Sequence, residues 1–135
     1  MASIFSKIVS GEIPCYKVAE SDDFLAFLDI NPLAKGHTLV IPKKETDYIF
    51  DIEDPLYREF FSFAKKVAPA IEQSVKCKRI GIAVLGLEVP HAHIHLIPIN
   101  TVYDIDFRKP KLELSKEEFV EIAEKINSAF LKNNQ

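Results

Sequence analysis

Two cysteines are the whole thiol content of this chain, and Cys15 and Cys77 stand far apart with no Cys-x-x-Cys pair. That scarcity argues against a disulfide framework and leaves two reduced thiols in a cytosolic protein as the expectation. No apolar run approaches the length of a membrane span. The N-terminal MASIFSKIVSGEIP is too short and, after Val9, too polar for a secretory signal. The expected compartment is the cytoplasm, with no membrane partner. An excess of basic charge is also missing: 17 Lys and Arg against 20 Asp and Glu leave a net charge of −3. This argues against non-specific nucleic-acid binding but does not exclude a small nucleotide. There is no internal repeat, low-complexity tract or linker-like shift in composition. What remains is an ordinary globular composition, 47% hydrophobic and 27% charged, in 135 residues. That length predicts a single domain over residues 1–135, built on one core.

Periodicity supplies the elements. SIFSKIVSG carries Ile4, Phe5, Ile8 and Val9 at helical spacing, with Ser3 as an N-cap and Gly11 as the stop, and predicts a short N-terminal helix. YKVAES and DFLAFLDI, separated by Ser21-Asp22-Asp23, predict a hairpin. NPLAKG is a loop, and HTLVIP is an apolar strand that Pro42 ends. Asp54-Pro55 opens a helix whose buried stripe is Phe60, Phe63, Ala64, Val67, Ile71 and Val75, and Pro69 should kink or interrupt it. RIGIAVLG predicts a strand that turns at Gly86 into a histidine-bearing strand. Ser115 and Glu118 form a capping box before Phe119, Ile122, Ala123, Ile126, Ala129 and Phe130, the face of a last helix. The order α-β-β-β-α-β-β-α, with short strand connections, predicts an α+β fold with an antiparallel sheet of about five strands, two main helices and the short N-terminal one.

Three of the four histidines fall in HAHIHLIPI, residues 91–99, at every second position. On a strand this spacing puts His91, His93 and His95 on one face, about 6.6 Å apart, while Ala92, Ile94 and Leu96 face the core and hold the register. Three uses compete for such a row. It could be a solvated strand face that happens to carry imidazoles. It could ligate zinc, although no Cys-x-x-Cys or His-Glu-x-x-His supplies a further ligand. Or it could be a site of nucleophilic catalysis: an imidazole neutral at pH 7 has a ring nitrogen free to attack, and a protonated neighbour can balance phosphate charge or donate a proton.

HAHIHLI resembles the His-φ-His-φ-His-φ-φ signature (φ apolar) of the histidine triad, or HIT, family. SIFSKIVSGEIP and FLAFLDINPLAKGHTLVIPKK extend the resemblance through most of the chain. The resemblance implies a HIT-like fold and a nucleotide hydrolase or nucleotidyl transferase acting at the α-phosphate of a nucleoside phosphoramidate or dinucleoside polyphosphate. It makes His93 the nucleophile that carries a nucleotidyl-histidine intermediate. His91 would orient it through the backbone carbonyl, His95 would contact phosphate and leaving group, and His37 would support the triad from the adjacent strand. The base and ribose pocket maps onto Ile8, Ile13, Phe27, Asp29 and Ile30. A purine nucleotide is the implied partner, a homodimer that extends the sheet the implied assembly, and no cofactor is implied. Asp29 also has a reason of its own, since a carboxylate at a strand end can accept both ribose hydroxyls; the plain alternative is a bond to the DINP turn. The apolar positions would by spacing alone be core. Lys43-Lys44, after a strand, reads as a solvated pair.

The chain departs from the family pattern twice. Many bacterial members bind a structural zinc through an N-terminal Cys-x-x-Cys, a histidine after PKK and the first triad histidine. The corresponding residues here are Ser3, Ser6, Glu45 and His91. With no thiolate and a carboxylate in place of an imidazole, the expectation is no metal, with His91 left free for catalysis. Before the triad, VLGLEVPH replaces a longer loop that ends Gly-Gln-Ser/Thr-Val, so Leu87 and Glu88 stand where an amide and a hydroxyl would be. An ionised Glu88 cannot donate to phosphate and would repel it, which implies altered substrate handling. Two rivals stay open: a nucleotide-binding sensor without turnover, which His93→Ala would leave little changed, and a metal-dependent hydrolase, which a chelator would inhibit.

Overall fold

A computed structural model describes residues 1–135. Five strands form one antiparallel sheet, namely β1 (Lys17–Glu20), β2 (Phe24–Leu28), β3 (Thr38–Pro42), β4 (Arg79–Ala83) and β5 (Ile94–Ile99), in the order β1-β2-β3-β5-β4. Three helices cover it: α1 (Ile4–Val9), α2 (Leu56–Ser74) and α3 (Lys116–Asn133). The α+β expectation holds. Every residue of β2 and β3 is buried, because both faces of the sheet are covered. That is why FLAFL and TLVIP read as continuous apolar runs rather than alternations.

The two faces differ. Phe24, Ala26, Leu28, Val40, Ile94 and Leu96 point to α2 and α3 and merge with Phe60, Val67, Ile71 and Ile126 into the main core. Leu25, Phe27, Leu39 and Ile41 point the other way and meet Phe5 of α1 in a smaller cluster. Ser3 caps α1 as expected, accepting the Ser6 N–H at 3.0 Å, and Gly11 leaves the helix at φ +86°, where only glycine is unstrained. Both bonds of the Ser115–Glu118 capping box form at α3. No helix is long and apolar enough to cross a membrane.

Three expectations need correction. Pro69 lies inside α2 but does not interrupt it. A proline removes one helical rung, and here Val67, Ala70 and Ile71, all buried around it, hold the helix to the sheet. Val75 falls one residue beyond α2, in extended backbone, and packs on the core from there. The histidine strand begins at Ile94, not at His91, so only His95 lies in the ladder, opposite Leu39 of β3 and Ala83 of β4. Upstream, the Ala92 N–H bonds to the Thr46 carbonyl at 2.7 Å and the His91 N–H to Val89 at 2.8 Å. The alternation survives this loss of pairing, because Ala92, Ile94 and Leu96 all enter the main core.

Candidate active site

All four histidines are buried, His91 and His37 at 0% and 1% exposure and His93 and His95 at 7%. A solvated histidine face is thereby overturned. Their hydrogen bonds form chains whose directions can be worked out from what each partner is able to do. The Leu33 N–H reaches His37 Nδ1 at 3.0 Å, so that nitrogen carries no proton and the His37 proton sits on Nε2. His37 Nε2 lies 2.9 Å from His95 Nδ1 and donates to it, which puts the His95 proton on Nε2. Burial holds His37 down to about 3 and His95 to about 4, with His93 adding to the second effect, so both rings are neutral at pH 7.

His93 Nδ1 lies 2.8 Å from the carbonyl oxygen of His91, which can only accept. The His93 proton is therefore on Nδ1, and Nε2 keeps its lone pair. That nitrogen has no protein partner and is not sealed from the cavity His93 lines. The Phe5 ring packs edge-on against His93 with centroids 5.0 Å apart. His95 lies beside it at the same centroid distance.

The His91 ring is held at both nitrogens. Its Nε2–H donates to the Pro42 carbonyl at 2.7 Å, and its Nδ1 accepts from the Ser3 hydroxyl at 2.8 Å. Burial lowers its pKa as well. With His37, His91 and His95 all neutral, the protonated neighbour expected to balance phosphate charge is not among these three rings.

The histidines open onto a cavity of about 440 Å³, a size suited to a small-molecule ligand. Ile8, Ile13, Phe27, Asp29, Ile30 and Glu88, all picked out in the sequence, line it together with His93 and His95. His37 and His91 lie behind that wall. Asp29 does two things at once. Its Oδ1 accepts the Asn31 N–H at 2.8 Å, the turn bond offered above as the plain alternative, and its Oδ2 lies 3.5 Å from His37 Nε2. Burial raises the Asp29 pKa, and the Glu88 carboxylate adds to the rise. Glu88 itself is exposed at the rim.

Sequence reasoning missed Phe107 and Lys111, which also line the cavity. Phe107 packs on His95 with centroids 4.8 Å apart, and the Lys111 ammonium donates to the Phe107 carbonyl at 2.6 Å, bracing that loop. Nothing in NTVYDIDFRKPKLEL marks either residue, since the segment has no periodicity.

Asp29, His37 and His95 place one ligand atom each within 4.8 Å of one another, the one such group. The facing nitrogens of His37 and His95 already share a proton across 2.9 Å. Two nitrogens on one tetrahedral zinc stand about 3.3 Å apart, from bonds of about 2.0–2.1 Å, so this pair is arranged for a hydrogen bond rather than an ion.

The HIT domain family matches residues 10–102. An uncharacterized HIT-like protein of Borreliella burgdorferi is 38% identical over 132 residues, covering 92% of this chain and 95% of that one. The adenosine 5'-monophosphoramidase of Schizosaccharomyces pombe is 38% identical over 130 residues, covering 95% and 98%. A crystal structure of a zinc-bound histidine triad family protein from Mycobacterium smegmatis superposes with a TM-score of 0.83 at 26% identity, covering 99% and 96%. The fold and site define a histidine triad protein. The chain belongs to the HIT family.

Proposed function

We propose that this protein is a nucleotide hydrolase or nucleotidyl transferase that attacks the α-phosphorus of a nucleoside phosphoramidate or dinucleoside polyphosphate through His93. The observation that carries the reading is the His93 Nδ1–H bond to the His91 carbonyl, which leaves a lone pair on Nε2 of a ring that lines the cavity. Asp29 accepts the ribose hydroxyls, and Ile8, Ile13, Phe27 and Ile30 enclose ribose and base, a purine in this reading. His93 Nε2 bonds to phosphorus as the bond to the leaving nitrogen or oxygen breaks, and the leaving atom keeps that electron pair. Positive charge then develops on the His93 ring, and the His91 carbonyl stabilises it through Nδ1–H. His95 directs its Nε2–H at the leaving atom, and His37 fixes that tautomer from behind. Water then cleaves the nucleotidyl-histidine and releases the monophosphate.

Glu88 at the rim disfavours a leaving group rich in phosphate, so a phosphoramidate is the better substrate. Two copies pair through β4, an edge strand that leaves Ile82 exposed. Both thiols are free, in keeping with the cytoplasm. The test is incubation with adenosine and guanosine phosphoramidates and dinucleoside polyphosphates, followed by mass spectrometry of the quenched protein. A nucleotide on the peptide bearing His93, absent in His93→Ala, is the expected result. Binding without adduct or hydrolysis across the panel would mean a sensor, and turnover abolished by a chelator would mean a metal enzyme.

A further inference from the structure

The four positions where the family resemblance would seat a zinc ion hold Ser3, Ser6, Glu45 and His91, and they meet in space. Their donors do not suit that ion: hydroxyls and one carboxylate replace thiolate and imidazole, and their polar atoms are committed to one another. Glu45 Oε1 accepts the Ser3 N–H at 2.6 Å and the Ser6 hydroxyl at 2.7 Å. Ser3 Oγ accepts the Ser6 N–H at 3.0 Å. His91 Nε2–H is spent on the Pro42 carbonyl, so Nδ1 must accept. Ser6 Oγ is 3.5 Å from that nitrogen and already donates to Glu45, whereas Ser3 Oγ, 2.8 Å away, is the donor within reach. Each donor thus has one acceptor, and the path runs from α1 to the ring of His91. The same residue's carbonyl holds His93.

We propose that Ser3 is a positioning residue for His93. Its hydroxyl, held by Ser6 and Glu45 and donated to His91, ties α1 to the peptide group that orients the attacking ring, with hydrogen bonds standing where an ion would. The assignment of His93 as nucleophile rests on the function proposed above, whereas the link from Ser3 to the His93 tautomer does not.

Three substitutions separate positioning from helix capping. Ser3→Ala removes both the cap and the bond to His91. Ser3→Thr keeps both. Ser3→Asp keeps a capping acceptor, but as a carboxylate it has no proton to give His91 Nδ1. With adenosine phosphoramidate, Ser3→Ala and Ser3→Asp should lower kcat about tenfold with KM within about twofold, a loss of orientation rather than of binding, and Ser3→Thr should restore it. Nitrogen NMR of histidine-labelled protein should show His93 held as the Nδ1–H tautomer in the wild type and in Ser3→Thr, and as a mixture in Ser3→Ala and Ser3→Asp. Wild-type kcat and an unchanged tautomer in Ser3→Asp would overturn the proposal and leave Ser3 a helix cap. If the wild type turned over no nucleotide, the functional reading would fail while the NMR arm still decided this one. A second arm uses the triple variant Ser3→Cys, Ser6→Cys, Glu45→His. It should take up zinc and melt at a higher temperature with the metal than without, and failure to bind zinc would refute the spatial equivalence.

Discussion

The two faces of the sheet are made by alternate residues of the same strands, yet different forces hold them. Toward α2 and α3, Val40, Ile94 and Leu96 lie among Phe60, Val67, Ile71 and Ile126, and the contacts among these side chains are apolar. Toward α1, His37, His91, His93 and His95 are buried among Phe5, Phe27 and Leu39, and the contacts are directed hydrogen bonds in a fixed order of donors and acceptors. An apolar face accepts any side chain of the right volume. A hydrogen-bonded face depends on the identity of each atom, because a buried donor or acceptor without a partner costs far more than a bond contributes. Changes on the first face should cost stability and spare chemistry, whereas changes on the second should cost chemistry, and stability as well wherever they leave a buried partner unpaired.

The largest effect that would sharpen this contrast is His93→Ala, expected to lower kcat about 10⁴-fold, as loss of a nucleophile does, while the melting temperature stays near that of the wild type. Steady-state kinetics and calorimetry on one preparation check it, and wild-type turnover would break the contrast at its centre. Next comes Ile94→Ala, one residue away on the opposite face. It should lose about 2–5 kcal/mol in denaturant unfolding with kcat per folded molecule within about twofold of the wild type. An equal collapse of kcat would show that the two faces are coupled.

Acid should destabilise the polar face first. In the unfolded chain His37 and His95 take up protons near pH 6.5, but in the folded chain only near 3 and 4. Between those values the unfolded state binds more protons. Stability is therefore full above pH 6.5 and falls as the pH drops toward 4, with a slope approaching about 1.4 kcal/mol per pH unit for each ring. Unfolding curves from pH 7.5 to 4 should show this, and His37→Gln should flatten the slope. The smallest effect expected is that of Asp29→Asn. It should raise KM for a ribonucleotide about tenfold and that for the 2'-deoxynucleotide less, because a charged acceptor of the ribose hydroxyls becomes a neutral one. Equal changes for the two sugars would remove Asp29 from ribose recognition.

Some of this was legible in the chain. The Ser3 and Ser115 caps, the stripes of α2 and α3 and the alternation from His91 to Leu96 are local, and, Val75 at the end of the α2 stripe apart, each formed as its spacing demanded. The family resemblance likewise pointed to Asp29 and the isoleucines, which line one cavity together with Glu88, a residue noticed as a departure from that pattern. The start of β5 was misjudged, because alternation sets which way a side chain points and not whether a neighbouring strand is there to pair. Phe107 and Lys111 were invisible because a loop brings them to the cavity from outside any pattern.

Alternation of apolar and polar residues, capping chemistry and the spacing of three imidazoles were sufficient to decide the elements and the side of the sheet on which chemistry would sit. These depend on neighbours within a few positions, and chain geometry transmits them directly. Which nitrogen of each histidine bears the proton, the neutrality of His37, His91 and His95, and the link from Ser3 to His91 were decided only in the folded chain. Hydrogen bonding and desolvation depend on which groups converge from distant positions, and Ser3 and His91 are 88 residues apart until the sheet and α1 close around them.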